Sequence, residues 1–211
     1  ENDRRPGQVE VGPAAVNGLG RIAMVVADQV NKQLGQGLDQ SGNFGAALFN
    51  DINSAAAISQ RSIDNANNDP ASGNLNVTIK DTTKLAASDY QVTFTSATGY
   101  SVRRLSDNTN MGSFDLGATP APVIDGFSLS LNAGAVNSGD SFKITPTRSS
   151  AADMATVMTD VKRLATSAPL TSTKAQGNTG TGDASQPTLK TSLDIYDPTQ
   201  RLEVQNAVKA S

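Results

Sequence analysis

The chain contains no histidine, no cysteine and no tryptophan. Without histidine it lacks the usual general base near neutral pH, the commonest metal ligand and the centre of most serine or cysteine nucleophile systems. Without cysteine it has neither a disulfide framework nor a redox thiol, which leaves the compartment open. No basic run is longer than Arg4-Arg5 or Arg103-Arg104, and charged residues make up 18% with a net charge of -3. Phosphate backbones are held by clustered Lys and Arg, so nucleic acid is not an expected partner. The longest apolar run, Ile22 to Ala27, falls far short of the roughly 18 residues a membrane helix needs. Nor does the start read as a secretory signal, because Glu1 is followed by charged, proline-containing sequence. A start without Met reads as an internal piece of a longer protein, lacking both terminal segments.

Aromatic residues are also scarce, at 4%, and hydrophobic residues reach 37%. A thin core for the length follows. The 211 residues suffice for one large or two small domains. What is plentiful is Gly, Asn, Ser, Thr and Ala, a composition that favours short strands, many turns and a well-hydrated outline.

The clearest local signal runs from Pro13 to Gly42. Val16, Leu19, Ala23, Val26 and Val30 recur at spacings of three and four, a single apolar seam on a helix. Gln33 stands at the next seam position and Leu34 takes over beside it, as a straight helix of 3.6 residues per turn requires. Pro13 suits a first turn, and Gly35 and Gly37 supply the stop. These six residues, Val16, Leu19, Ala23, Val26, Val30 and Leu34, are the expected helical packing set. Phe44, Leu48 and Phe49 are expected to cover one end of the helical layer from a loop or short turn. Ala55 to Ile63 is left open between helix and connector, and NANNDPASGN from Asn65 to Asn74 is a break.

A β-rich unit opens at Asn74. Strands are expected at 75–80, 90–95, 100–105, 112–116, 126–132 and 141–146, each bounded by Gly, Asn, Asp or Ser. Val77 and Ile79 alternate with Thr78 and Lys80, and Tyr90, Val92 and Phe94 with Gln91, Thr93 and Thr95, the period of a half-buried sheet. Phe127, Leu129 and Leu131 repeat it. The connections are too short for helical crossovers, so the sheet should be antiparallel. Residues 150–168 admit two readings. Met154, Val157, Met158, Val161, Leu164 and Ala165 fit one helical face. After Pro169 the sequence is linker-like, and Leu189 to Tyr196 reads as a strand of a further unit.

Candidate chemistry is sparse. Asp39 to Asn43 starts like a calcium loop, but Phe44 replaces the turn glycine and Asn50 the bidentate Glu; a helix-terminating loop is the expectation. Gly177 to Gly182 is glycine-rich yet followed by Asp183, so it reads as linker rather than phosphate cradle. Asn76-Val77-Thr78 matches a glycosylation acceptor inside an expected strand. Asp81, Asp89, Asp107, Asp115, Asp125 and Asp140 lie at strand ends, where turn formation is the ordinary role. No catalytic, metal or cofactor-binding residue is assigned, and no cofactor is expected.

Three separated runs carry a resemblance in consistent order: LGRIAMVVADQVNKQLGQGLDQSGNFGAALF from Leu19, ASDYQVTFTSATGYSVRRLSDNT from Ala87, and GDSFKITPTRSSAADMATVMTDVKRLATSAP from Gly139. They resemble the flagellar hook-associated protein 1 family, the hook-filament junction proteins. The resemblance implies an α+β chain, with a long N-terminal amphipathic helix and a mainly antiparallel β-rich domain. Residues 1–50 would belong to an inner helical domain, 51–170 to an outer β-rich domain, and 171–211 to a linker and the start of a further segment. For 150–168 it implies a strand near 153–159 and a short helix from Asp160 to Ala168. It implies a non-enzymatic, extracellular structural subunit, exported through the flagellar channel without a cleaved signal peptide, that self-assembles and meets neighbouring hook and hook-associated subunits. No nucleic acid or membrane partner is expected, and the piece alone should be monomeric. The competing reading is an extracellular β-sandwich adhesin or carbohydrate-binding module.

Overall fold

The computed structural model describes residues 12–69, 72–165, 167–168, 170–171, 188–189 and 197–209. Helix α1, Pro13–Gln36, runs 24 residues, its first-turn proline having no N–H to satisfy. The chain divides into two compact units that part within α1, one made of Glu1–Val26 with Asp51–Met154, the other of Ala27–Asn50 with Ala155–Ser211.

In the first unit, α2 (Ala55–Gln60) starts at Ser54, whose hydroxyl accepts from the Ala57 amide, a side-chain cap of the usual kind. Then come β1 (Ser62–Asp64), β2 (Asn74–Ile79), β3 (Tyr90–Phe94), β4 (Gly99–Arg104), β5 (Asn110–Asp115), β6 (Phe127–Ala133) and β7 (Ser141–Ile144), ending in α3 (Ser150–Asp153). The strands form a five-stranded sheet ordered β1-β7-β3-β4-β5 and a two-stranded sheet of β2 with β6, antiparallel throughout. Class and strand direction thus agree with the sequence reading: this is an α+β protein.

The alternation read from sequence sets the core. Leu75, Val77 and Ile79 of β2 and Phe127 and Leu129 of β6 are buried with Tyr90, Val92, Phe94, Tyr100, Val102, Phe142 and Ile144 of the larger sheet in one cluster. The scarce aromatics gather there: Tyr90 meets Phe127 edge-on at 4.9 Å, and Phe94 lies 5.6 Å from Tyr100 and 5.7 Å from Phe142. Each such pair adds about 0.5–1.5 kcal/mol beyond its buried area. Burial pushes the Tyr100 phenol up to about 12, with nearby Asp115 adding to it. Leu131 departs from the expected pattern and is exposed, because the last residues of β6 run past the covered part of the sheet.

Arg61 is buried at the end of α2. Its guanidinium donates to the carbonyls of Val77, at 3.1 Å, and Ile52, and its own carbonyl accepts the Thr145 amide. Burial lowers its pKa to about 10, against the opposing pull of Asp153 and Asp51. Gly126 turns the chain into β6 with φ of +87°, and a Cβ there would lie 2.2 Å from the Asp81 carbonyl oxygen.

In the second unit, Leu38, Phe44 and Val204 form a small core, with the Arg201 guanidinium 5.1 Å above the Phe44 ring. Val204 lies on α4 (Pro198–Lys209), and β8 (Leu170–Thr171) pairs with β9 (Thr188–Leu189). The sequence reading missed α4, although Asp197 caps it through the Thr199 amide and Pro198 occupies its first turn. The strand expected at 189–196 falls outside the described residues beyond Leu189, as do residues 1–11 and the glycine-rich 177–182.

Residues 150–168 do not make one helix. After α3 the chain is extended from Met154, the amides of Asn50 and Val157 bond to the carbonyls of Ala155 and Leu48, and a 3-10 turn follows at Val161–Arg163, capped by Asp160. The strand-then-cap order implied by the resemblance fits this, but the turn is far shorter than the helix expected to Ala168. The helical spacing has no packed face to serve, since Met154, Val157, Val161 and Leu164 are all exposed.

Two outcomes test this account. Phe142→Ala should cost about 3–5 kcal/mol in denaturant unfolding, the range for emptying a packed aromatic site. Asp140 accepts from the Ser72 hydroxyl at 2.6 Å and the Asn137 amide at 2.7 Å, and the Ser72 bond, then the Asn137 amide, hold its carboxyl below the ordinary value. Its contribution is therefore full above the unfolded value of about 3.9 and lost as pH falls through the lower folded value. Asp140→Asn should lower stability at pH 7 by about 1–3 kcal/mol and flatten the acid limb of a pH–melting profile. An unchanged acid limb counts against the clamp.

Candidate functional site

Helix α1 carries two faces. Positions two apart on a helix are turned by about 200°, so residues 15, 17, 19 and so on alternate sides. The inner face holds Asn17, Gly20 and Met24 in the first unit and Ala27, Asn31 and Leu34 in the second; the first four and Asn31 are small or amide-bearing apart from Met24. Met24 joins the main core. Gly20 meets the chain at Thr147 so closely that a Cβ would fall 1.7 Å from the Thr147 carbonyl oxygen; only glycine permits that approach.

Asn17 is buried and fixed by both ends of its amide. Its Nδ2 donates to Asp89 Oδ1 at 3.1 Å, and its Oδ1 accepts from the Thr147 hydroxyl at 3.3 Å. Asp89 Oδ2 in turn takes the Arg148 guanidinium and lies 3.4 Å from the Lys143 ammonium. The carboxylate is only 7% exposed, and its two cationic neighbours compensate the desolvation it would otherwise suffer. In the second unit Asn31 does similar work: Oδ1 accepts from the amides of Leu48 and Phe49, and Nδ2 donates to the Phe49 carbonyl at 2.9 Å. Leu48 and Phe49 are half-buried.

The outer face is apolar and uncovered. Leu19 is 61% exposed, Ile22 57% and Val26 43%, with exposed Ala15 one turn before. Ala15, Leu19, Ile22 and Val26 follow the four-three-four spacing of a coiled-coil seam, and Gln29 and Gln33 occupy the next two seam positions. Of the six residues expected to pack, Leu19 and Val26 are therefore exposed, Ala23 is buried, and Val16, Val30 and Leu34 are half-buried. Apolar spacing alone did not say which side of the helix its own domain would take. The signal that could have done so is the pair Asn17 and Asn31 with Gly20 between them, residues that a solvent-facing helix surface has no reason to place in one row.

The acidic residues serve the fold. Asp81 accepts from the Thr83 amide and hydroxyl, Asp107 from the Thr109 amide and Arg104, and Asp115 from the Gly117 amide and the Thr98 hydroxyl. Asp125 Oδ2 accepts from the Tyr90 hydroxyl at 2.7 Å and Arg104 at 2.9 Å. Burial first, then this bond, raise the Tyr90 phenol far above its ordinary value. Asp39 Oδ1 accepts from the amides of Ser41 and Asn43, closing the loop after α1, and Asn76 lies half-buried within β2. Among the described residues no three acidic side chains group to hold a metal ion, and no helix is long and apolar enough to cross a membrane.

Residues 63–146 match the family model of the flagellar hook-associated protein 1, D2-like domain. The chain is 30% identical over 181 residues to flagellar hook-associated protein 1 of Salmonella typhimurium, covering 86% of this chain and 31% of that protein; the Salmonella typhi protein gives the same figures. The flagellar hook junction protein FlgK from Burkholderia pseudomallei superposes with a TM-score of 0.63 at 31% identity, over 80% of this chain and 29% of that one. These likenesses place the chain in a class of structural flagellar proteins. The chain belongs to the flagellar hook-associated protein 1 family. It spans 31% of the length of the curated relatives it matches.

The two faces of α1 should respond differently to substitution. Leu19→Asp should leave the melting of this chain nearly unchanged, within about 0.5 kcal/mol as for surface sites. Gly20→Ala should destabilise it, as should Asp89→Ala, by about 3–5 kcal/mol for breaking a buried ion pair. Equal effects at Leu19 and Gly20, read by thermal unfolding, would overturn the assignment of faces.

Proposed function

We propose that the protein this chain belongs to joins the hook to the filament of the bacterial flagellum as a non-enzymatic, self-assembling subunit outside the cell. Export without a cleaved signal peptide is part of the same reading. Residues 1–50 contribute to an inner helical layer, 51–170 supply the outer β-rich domain, and 171–211 lead into a further segment. The observation that carries it is the uncovered seam at Leu19, Ile22 and Val26 in a chain with a hook-associated D2-like domain. Val16, Leu19, Ala23, Val26, Val30 and Leu34 act as packing residues of the helical layer, those on the outer side against other helices of the assembly. Identical subunits meeting head to tail close into a ring or continue as a tube, according to the rotation between them, and neighbouring hook and hook-associated subunits meet the ends. Burying a Leu or Ile side chain there contributes roughly 1.5–3 kcal/mol. In dilute solution the chain alone is monomeric.

The test is made in the bacterium. Replacing Leu19 and Ile22 together with Asp in the full-length gene should abolish swimming and leave hooks without filaments in electron micrographs, while the isolated double variant melts like the parent. Normal filaments in that strain would sink the reading.

A further inference from the structure

The extended segment after α3 has one open edge. On its inner side the Ala155 carbonyl accepts from Asn50 and the Val157 amide donates to Leu48, a short antiparallel pairing centred on Phe49 and Thr156. In an antiparallel pair the backbone groups of alternate residues point to opposite edges, so those of Thr156 and Met158 point away from this partner. Among the described residues, neither has a hydrogen-bond partner on that outer side. Thr156 and Thr159 are exposed, Val157 is 49% exposed, and Val161, at the start of the following turn, is 82% exposed. Soluble proteins blunt open strand edges with lysine, proline, a bulge or an inward charge. Residues 154–159, MATVMT, carry no charge and no proline.

We propose that this edge receives an added β-strand supplied by the remainder of the same polypeptide. The curated relatives are about three times as long as the part this chain matches, the chain covering 31% of each, so most of such a protein lies elsewhere in its sequence. A strand tied to the same chain binds as an intramolecular partner at high effective concentration and needs only a few main-chain hydrogen bonds. Its chemistry is set by the edge: extended, uncharged, with apolar or β-branched residues at alternate positions to cover Val157, and the free amides of Thr156 and Met158 bonding to its carbonyls. The inference rests on reading the chain as part of a longer flagellar protein, but not on where in the flagellum that protein works.

Hydrogen exchange by mass spectrometry, comparing this chain with the protein from its full open reading frame, tests it. Amides of Thr156 and Met158 should exchange freely in the chain and at least tenfold more slowly in the dilute, monomeric full-length protein. Val157→Lys should leave the melting of the chain unchanged and lower that of the full-length protein. Equal exchange in both, protection that appears only as the full-length protein is concentrated or assembled, or a Val157→Lys variant that melts like its parent in both would overturn the proposal. The motility assay reports on the hook-filament role independently, so either reading can fail without the other.

Discussion

The seat of α1 on the segment at Thr147 is the constraint on which the first unit depends. A glycine at position 20 brings two backbones into contact, and a buried carboxylate, Asp89, holds an amide of the helix beside two cations from the β-domain side. Neither part works alone. Contact without Asn17 would strand Asp89 short of a donor, and the ionic group without Gly20 would sit too far from the helix to reach it. Because the cations come from β7 and the segment just after it, the helix is fixed to the strand that lies second in the five-stranded order, between β1 and β3.

How much of this could be read beforehand varied with the kind of signal. Strands were legible because burial on one side imposes a period of two, and Leu75, Val77 and Ile79 or Tyr90, Val92 and Phe94 keep it without exception. Pairing was legible only where a short connection joins neighbours, as between β3 and β4. The partnership of β2 with β6 spans the whole hairpin system between them, and nothing local in either sequence encodes it. The helix itself was plain, but its orientation was not, since Val16, Leu19, Ala23 and Val26 describe an apolar stripe without naming its partner. The inner side is identified by Asn17, Gly20 and Asn31, which hydropathy patterns discount. Residues 154–164 show the opposite failure, a helical spacing with no helix, because local pattern competes with backbone pairing to residues 48–50.

The candidate site was legible in kind more than in place. Of the acids at strand ends, Asp81, Asp107 and Asp115 bind the turns beside them, whereas Asp89, Asp125 and Asp140 take partners distant in sequence; at Asp89 these are Lys143 and Arg148, more than fifty residues away and beyond the reach of motif reading. In a chain without histidine, charge is spent on joining elements. Arg104 bridging Asp107 and Asp125 ties β4 to the turn before β6, and Arg61 bridges carbonyls from two other segments.

The aromatic core has a practical consequence. With no tryptophan present, the three tyrosines dominate the ultraviolet emission of the chain, and Tyr90 and Tyr100 are both sealed within the packed interior of the first unit. The intrinsic fluorescence is thus a reporter weighted toward that interior, blind to the outer stripe of the helix, and a natural optical readout for whether the β-domain stays intact while the rest of the molecule is altered.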